Sequence, residues 1–136
     1  MNLTSTPGTV PKLDFAALAA LAVASATIQQ PCACSAVAPA GWQRFPPLLS
    51  LDQFETIGTL VDDPYVEPTF VEYHPGATHY DSAEAPIAPQ YYPCNRCTVA
   101  ACRQCGRAYL RYDEGGGYFT DARIRALQPG LLVDAA

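Results

Sequence analysis

The sequence has little charge and almost no lysine. Charged residues make up 15% of the 136 residues, Lys12 is the single lysine, and the isoelectric point lies near 4.7. Proteins that bind nucleic acid through a basic surface usually have the opposite composition, so the composition disfavours that class. Hydrophobic residues reach 49%, which excludes a disordered acidic chain and leaves enough apolar material for one small domain.

Several motifs of common enzyme classes are missing. The chain has neither a Gly-x-Ser-x-Gly elbow nor a phosphate-binding Gly-x4-Gly-Lys-Ser/Thr loop. The cluster of Glu72, His74 and His79 is the one group of acid and base side chains, and it could supply three metal ligands of mixed type. Its turn and strand context is explained equally well by hydrogen bonds that hold a loop. We therefore expect no catalytic residues.

A long hydrophobic run is also missing. The most apolar stretch, residues 13–28, is shorter than the about 20 residues that cross a bilayer. It resembles the core of a signal peptide that ends in the small residues 24–26, but Asp14 and the prolines before it argue against export. We expect a cytoplasmic protein that does not associate with membranes, and a signal function of residues 13–28 remains an alternative.

Thirteen prolines indicate extended segments through the middle of the chain. We expect a flexible lead-in over residues 1–11, a helical and proline-rich region over 12–93, and a cysteine-containing region over 94–136, all in one globular unit. The expected elements are a helix at 12–29 packed on more than one side, an aromatic-anchored strap at 31–47, a helix at 51–57 capped by Ser50 and Gln53, a hairpin at 69–80, a hairpin at 107–120 that turns at Gly115–Gly117, and a helix at 122–128.

Charge divides the chain into two parts. Residues 1–93 carry two basic and nine acidic side chains, a net charge of −7, whereas residues 94–125 carry six arginines and three acidic side chains. The acidic part could meet a basic partner or the protein's own basic part. Self-complementarity is the simpler interpretation.

The cysteines are the main chemical feature. Cys94 and Cys97 form one Cys-x2-Cys unit, and Cys102 and Cys105 form a second, with four residues between them. Such a unit can place two sulfurs about 2.3 Å from a tetrahedral zinc ion, and two units complete a site without histidine. Gly106 would relieve the backbone where the second unit turns into a strand. We predict that Zn²⁺ binds Cys94, Cys97, Cys102 and Cys105.

Residues 94–120 resemble zinc-ribbon and treble-clef-like zinc-knuckle proteins. The resemblance implies an α+β fold in which a structural zinc ion clamps a C-terminal β-hairpin, beside an Ala-rich helix and proline-rich segments. Residues 98–101 form a shorter link than the strand-bearing segment of a ribbon, so a compact knuckle pair is as plausible.

Two other cysteine arrangements remain open. The spacing Cys97-x4-Cys102-x2-Cys105 matches plant-type [2Fe–2S] ferredoxins, although no cysteine follows Cys105. Cys32 and Cys34 could form a second half-site, could supply ligands to the main cluster, or could have no role. The last option is favoured because two cysteines without a nearby histidine make an incomplete site.

A closed four-thiolate site is structural, so the expected function is binding. We expect a non-enzymatic, zinc-binding interaction module: an adaptor, an assembly factor or an inhibitor of a larger partner. One version has a basic partner, as in an immunity-type protein against a basic toxin. The alternatives are an Fe–S electron carrier and a nucleic-acid-binding zinc ribbon. The Ala-rich helix could also pair two copies of the chain.

Overall fold

The computed structural model describes residues 10–36, 41–44, 51–61, 65–74, 78–79, 82, 84–116 and 119–134. Within these residues, one longer helix packs against an antiparallel sheet, which is an α+β arrangement. The elements are helix α1 (Phe15–Ala26), a single helical turn α2 (Ala33–Ala36), and strands β1 (Gln43–Arg44), β2 (Phe54–Thr59), β3 (Thr98–Cys102), β4 (Ala108–Gly116) and β5 (Phe119–Ala126).

The sheet has the strand order β1-β5-β4-β3-β2, and every neighbouring pair is antiparallel. Side chains alternate between the two faces along each strand, so residues paired across the sheet share a face. Val99, Leu110 and Arg125 lie in register on one face, which we call the helix face. Ala100 and Tyr109 are paired on the other, which we call the cysteine face.

Helix α1 covers the helix face. It begins at the N-cap Asp14, whose carboxylate accepts a hydrogen bond from the Ala17 amide at 2.8 Å. Leu18, Ala22 and Ser25 form the buried stripe, and the opposite side is open, with Val23 55% exposed. The predicted helix at 12–29 is therefore confirmed but shorter, and it packs on one side only within the described chain.

The predicted C-terminal hairpin is confirmed. Strands β4 and β5 pair from Tyr109 and Ala126 to Gly116 and Phe119. The proline-rich strap is described at residues 41–44, where Trp42 is buried with its ring edge-on to Tyr112 at 4.8 Å between centroids. This contact agrees with an aromatic anchor.

The expected helix at 51–57 is wrong. Leu51–Gln53 form only a 3₁₀ turn, and the chain continues as β2. Strand pairing overrides the local helix signal because β2 hydrogen-bonds to β3 and buries Phe54 edge-on against Tyr109, at 5.4 Å between centroids. The proposed cap Ser50 lies outside the described residues.

The expected helix at 122–128 is also wrong, because β5 extends to Ala126. In this strand Ile124 is buried on the cysteine face and Arg125 on the helix face, and Leu127, just after the strand, joins the helix-face core. The backbone of the strand completes the ladder to β4. The expected hairpin at 69–80 is not formed by its described residues, 69–74 and 78–79, which contain no strand.

Gly58 allows the chain before α1 to lie against β2. A Cβ atom at this position would lie 2.5 Å from Cδ1 of Leu13. Leu13 is held there by its amide, which donates to the Thr59 carbonyl at 3.0 Å. Gly58 thus permits a close approach of two segments of the chain.

We expect Gly58→Ala to lower the free energy of unfolding by roughly 1–3 kcal/mol, because Leu13 must move out of its place against the core. Chemical denaturation measures the change. Gly130→Ala is the matched control, because nothing lies within 4 Å of a Cβ atom there. Equal stability of the two variants would contradict the close contact.

Candidate metal centre

Four thiols meet on the cysteine face of the sheet. The Sγ atoms of Cys32, Cys34, Cys102 and Cys105 all lie within 4.8 Å of one another. Cys32 and Cys102 are 3.7 Å apart, and Cys34 and Cys105 are 3.5 Å apart. These distances exceed the about 2.05 Å of a disulfide bond, and none of the four cysteines is in a disulfide. We call this group the four-thiol cluster.

The turn between β3 and β4 supplies two of the thiols. Cys102 ends β3, and its amide donates to the Arg107 carbonyl at 2.9 Å, while the Gly106 amide donates back to the Cys102 carbonyl at 2.8 Å. Gly106 has φ +88°, a left-handed conformation that favours glycine. This tight turn brings Cys105 to the same side as Cys102, as a metal-binding knuckle requires.

The segment after α1 supplies the other two. The guanidinium of Arg107 donates to the Ile28 carbonyl at 3.0 Å and so holds the chain beside the β3–β4 turn. From there the chain reaches the cysteine face, where Cys34 is fully buried beside Tyr109 and Ile124. Cys34 is the second residue of the helical turn α2, and Cys32 immediately precedes this turn.

Hydrogen-bond donors surround the sulfurs. The side-chain amide of Gln53 donates to Cys102 Sγ at 3.5 Å and to Cys32 Sγ at 3.9 Å. The Arg107 guanidinium donates to Cys105 Sγ at 3.4 Å. Donors of this kind stabilise thiolates, the form in which cysteine binds metals.

The thiols differ in their affinity for protons. Burial raises the pKa of Cys34 far above its usual value. Burial also acts to raise the pKa of Cys102, but hydrogen bonds from Gln53 and from the amides of Gln104 and Cys105 outweigh it and lower that pKa to about 6. The cluster therefore contains one thiol that ionises readily and one that needs a cation to do so.

The cluster fits a single tetrahedral metal ion. Four sulfurs at about 2.3 Å from zinc are separated by about 3.8 Å in a regular tetrahedron. Two of the separations here, 3.7 and 3.5 Å, are close to that value, and none exceeds 4.8 Å. The buried hydroxyl of Tyr109 has no hydrogen-bond partner, and a thiolate at the neighbouring Cys34 would supply the acceptor.

Of the four predicted ligands, the structure brings only Cys102 and Cys105 together. Strand β3 runs from Thr98 to Cys102, and the rise over the five steps from Cys97 to Cys102 is roughly 16 Å. The two side chains also belong to cores on opposite faces of the sheet. Cys94 and Cys97 are buried in the helix-face core and cannot reach the ion that Cys102 and Cys105 would hold.

Cys32 and Cys34 belong to the four-thiol cluster, although the sequence alone favours no role for them. Their signal was the Cys-x-Cys spacing itself, an incomplete half-site that needs a second half-site elsewhere in the chain. Seventy residues separate Cys32 from Cys102, so only the tertiary structure joins the two half-sites.

The histidine cluster is a loop contact. His74 Nε2 bonds Glu72 at 2.8 Å and His74 Nδ1 bonds Thr78 at 3.1 Å, so both ring nitrogens are engaged. His79 is exposed. Among the described residues, these side chains do not form a group that could hold a metal ion.

Arginines of the basic region, residues 94–125, contact the protein itself. Arg96 donates to the Pro68 and Thr69 carbonyls at 3.1 Å each, Arg103 donates to the Asp52 carbonyl at 3.0 Å, and Arg107 donates to Ile28 as described. These contacts reduce the number of guanidinium groups that could bind phosphate.

Comparison with known proteins identifies no relative: no family model, curated protein or solved structure matches the chain. No helix within the described ranges is long and apolar enough to cross a membrane.

The geometry of the four-thiol cluster predicts which disulfides a mild oxidant forms in the metal-free protein. We expect Cys32–Cys102 and Cys34–Cys105, because these sulfurs are closest. Trypsin cleaves at Arg103 and so separates Cys102 from Cys105, and tandem mass spectrometry with backbone cleavage between Cys32 and Cys34, which share one tryptic peptide, assigns each bond. Disulfides that join Cys94 or Cys97 to Cys102 or Cys105 would contradict the arrangement.

Proposed function

We propose that this chain is a non-enzymatic protein that binds one structural Zn²⁺ ion through Cys32, Cys34, Cys102 and Cys105. The observation that supports the proposal is the convergence of four cysteine sulfurs, none of them in a disulfide, at tetrahedral spacing from two distant parts of the chain. Four thiolates fill the coordination sphere of zinc, which leaves no open position for a substrate or a water molecule.

The spacing favours a mononuclear ion over an iron–sulfur cluster. A [2Fe–2S] cluster has two iron ions and bridging sulfides, so its two pairs of thiolates are separated by the length of that core. The sulfurs here leave no room for it, because all four lie within 4.8 Å of one another. Tetrahedral four-sulfur sites select zinc or iron, and zinc suits a site without a redox role.

The ion would join the N-terminal segment to the sheet. The contacts between them at this end include the Arg107 bond to Ile28 and the bond from the Ala108 amide to Ser25 Oγ at 2.9 Å. A small domain with many prolines buries limited apolar area, and a structural zinc ion contributes folding free energy directly.

A protein-interaction role is supported by an exposed apolar patch, defined by Tyr65, Val66, Phe70 and Val71, each at least 59% exposed. The patch adjoins a groove of about 630 Å³ that is lined by Leu13, Phe15, Leu60 and Val66 among others. Asp14 and Glu67 also line the groove, and Glu72 follows the patch. Apolar side chains with acidic neighbours fit a basic partner, of which a toxin would be one case.

Metal analysis with cysteine variants tests the site. We expect one zinc per chain and a colourless protein, loss of zinc and of most of the stability in Cys32→Ser and Cys102→Ser, and retained zinc in Cys94→Ser. Elemental analysis, the visible spectrum and thermal unfolding of protein purified without oxygen measure these properties.

Each other outcome of that experiment contradicts the proposal in a different way. Loss of zinc in Cys94→Ser, with zinc retained in Cys32→Ser, would show that the ligands are those predicted from spacing, Cys94, Cys97, Cys102 and Cys105. Iron with visible absorption would indicate a redox centre. A fully folded protein without metal would remove the structural role of the ion.

The apolar patch gives a separate prediction. Val66→Ser and Val71→Ser are expected to change the free energy of unfolding by less than about 0.5 kcal/mol, because both side chains are mostly exposed. The same variants should weaken a complex with a basic partner, whose affinity should fall as salt is raised. An affinity that does not change with salt or with these substitutions would exclude the patch as the surface that binds the basic partner.

A further inference from the structure

Cys94 and Cys97 form a second thiol pair that the proposed metal site does not use. Residues 94–96 form a 3₁₀ turn, in which the Cys97 amide donates to the Cys94 carbonyl at 3.1 Å. The turn keeps the two residues together in the helix-face core, where the Cys97 thiol donates to the Pro93 carbonyl at 3.2 Å. Cys94 is 2% exposed and Cys97 is fully buried.

Arg125 is the fully buried charge beside this pair. Its Nη2 donates to the Ala85 carbonyl, whereas Nε and Nη1 have no hydrogen-bond partner. A guanidinium does not lose its proton in a protein, and burial of an uncompensated charge is very unfavourable. An anion must therefore accompany Arg125.

The thiol pair is the available source of that anion. Arg125 and Cys94 line the same small cavity, and none of its described lining residues is an aspartate or a glutamate. His74 also lines the cavity, and its two ring nitrogens are engaged with Glu72 and Thr78. The other polar side chains of the wall are the phenols of Tyr73, Tyr91 and Tyr92, which are not carboxylates.

The two thiols divide their protons unequally. The neighbouring Cys97 side chain, the charge of Arg125 and a bond from the Ala88 backbone lower the pKa of Cys94, while burial opposes them. Burial and the neighbouring Cys94 raise the pKa of Cys97, against the weaker attraction of Arg125 and Arg96. Cys94 is thus the nucleophile, and Cys97 is the thiol that keeps its proton.

The cavity limits what can reach Cys94. Its volume is about 10 Å³, which is room for one oxygen atom of a reagent beside Cys94, with the rest of the reagent towards the wall. Its wall includes the partly exposed side chains of Tyr73, His74 and Tyr91, which connect it to the surface. Bulky reagents cannot enter unless the wall opens.

We propose that Cys94 and Cys97 are a redox-active dithiol whose oxidant is a small hydroperoxide. The Cys94 thiolate attacks one oxygen of hydrogen peroxide, the O–O bond breaks, and with one proton the products are Cys94 sulfenic acid and water. The Cys97 thiol then attacks the sulfenic sulfur, which forms the Cys94–Cys97 disulfide and releases a second water. The pair loses two electrons and the peroxide gains them.

Arg125 has a defined part in this reaction. Its unpartnered Nε and Nη1 groups stabilise the Cys94 thiolate before the attack, as cationic neighbours do for reactive cysteines. The disulfide is neutral, so oxidation removes the countercharge and leaves Arg125 buried with the Ala85 carbonyl as its partner. Oxidation is therefore expected to loosen the segment that contains residues 85–97.

Treatment of the folded, metal-loaded chain with hydrogen peroxide tests the proposal. We expect a Cys94–Cys97 disulfide before any loss of metal, and no reaction with the bulkier oxidised glutathione. Trypsin cleaves at Arg96, so the disulfide links two otherwise separate peptides, and tandem mass spectrometry assigns it. In Cys97→Ser the reaction should stop at the sulfenic acid, which dimedone labels.

Variants of Arg125 distinguish a role in activating the Cys94 thiolate from a role in folding. Arg125→Met should slow oxidation at least about tenfold, because each unit of rise in the Cys94 pKa above the ambient pH lowers the thiolate fraction tenfold. Arg125→Lys retains the charge and should restore part of the rate. Circular dichroism under the same conditions shows whether each variant is folded, and a folded Arg125→Met with an unchanged rate would overturn the role of Arg125.

The proposal as a whole is overturned if Cys94 stays reduced in folded protein while peroxide oxidises the four-thiol cluster, and reacts only after unfolding in urea. It is also overturned if Cys97→Ser gives no sulfenic acid at Cys94. Both readouts are independent of whether the four-thiol cluster binds zinc.

Discussion

The alternation of side chains along β3 is the constraint on which the chemistry of this protein depends. Cys97 and Cys102 stand just before the strand and at its end, and they belong to opposite faces of the sheet. A spacing that suggests one four-cysteine site is thereby divided into two thiol environments. The two faces therefore accommodate their buried thiols by different interactions.

On the cysteine face, two thiol pairs from distant segments meet, so four potential negative charges converge where a single divalent cation fits between them. Gln53 and Arg107 add donors at the edge of the cluster. On the helix face, the thiol pair of Cys94 and Cys97 meets a buried guanidinium, that of Arg125, in place of a metal ion. A fixed positive charge beside a thiol pair disfavours a second cation, which explains physically why the two pairs would take different partners.

Arginines of the basic region, residues 94–125, donate hydrogen bonds to the main chain of the acidic region, residues 1–93. Arg96, Arg103, Arg107 and Arg125 each donate to a main-chain carbonyl in the first 93 residues, at Thr69, Asp52, Ile28 and Ala85 respectively. The complementarity of the two halves is thus carried largely by carbonyl oxygens, which the net charge of a sequence does not count. Arg103 and Glu55, 3.8 Å apart and largely exposed, form a weak ion pair by comparison.

The sequence by itself determined the local features: the Ala-rich helix that begins after Asp14, the C-terminal hairpin, and the knuckle at Cys102, Cys105 and Gly106. Each depends on neighbouring residues, through capping, alternation or a turn. Only the tertiary structure decided that residues 54–59 and 122–126 are in strands, because ladder pairing outweighs weak helix signals. It also decided which cysteines meet, because a contact between Cys32 and Cys102 across 70 residues leaves no trace in local spacing.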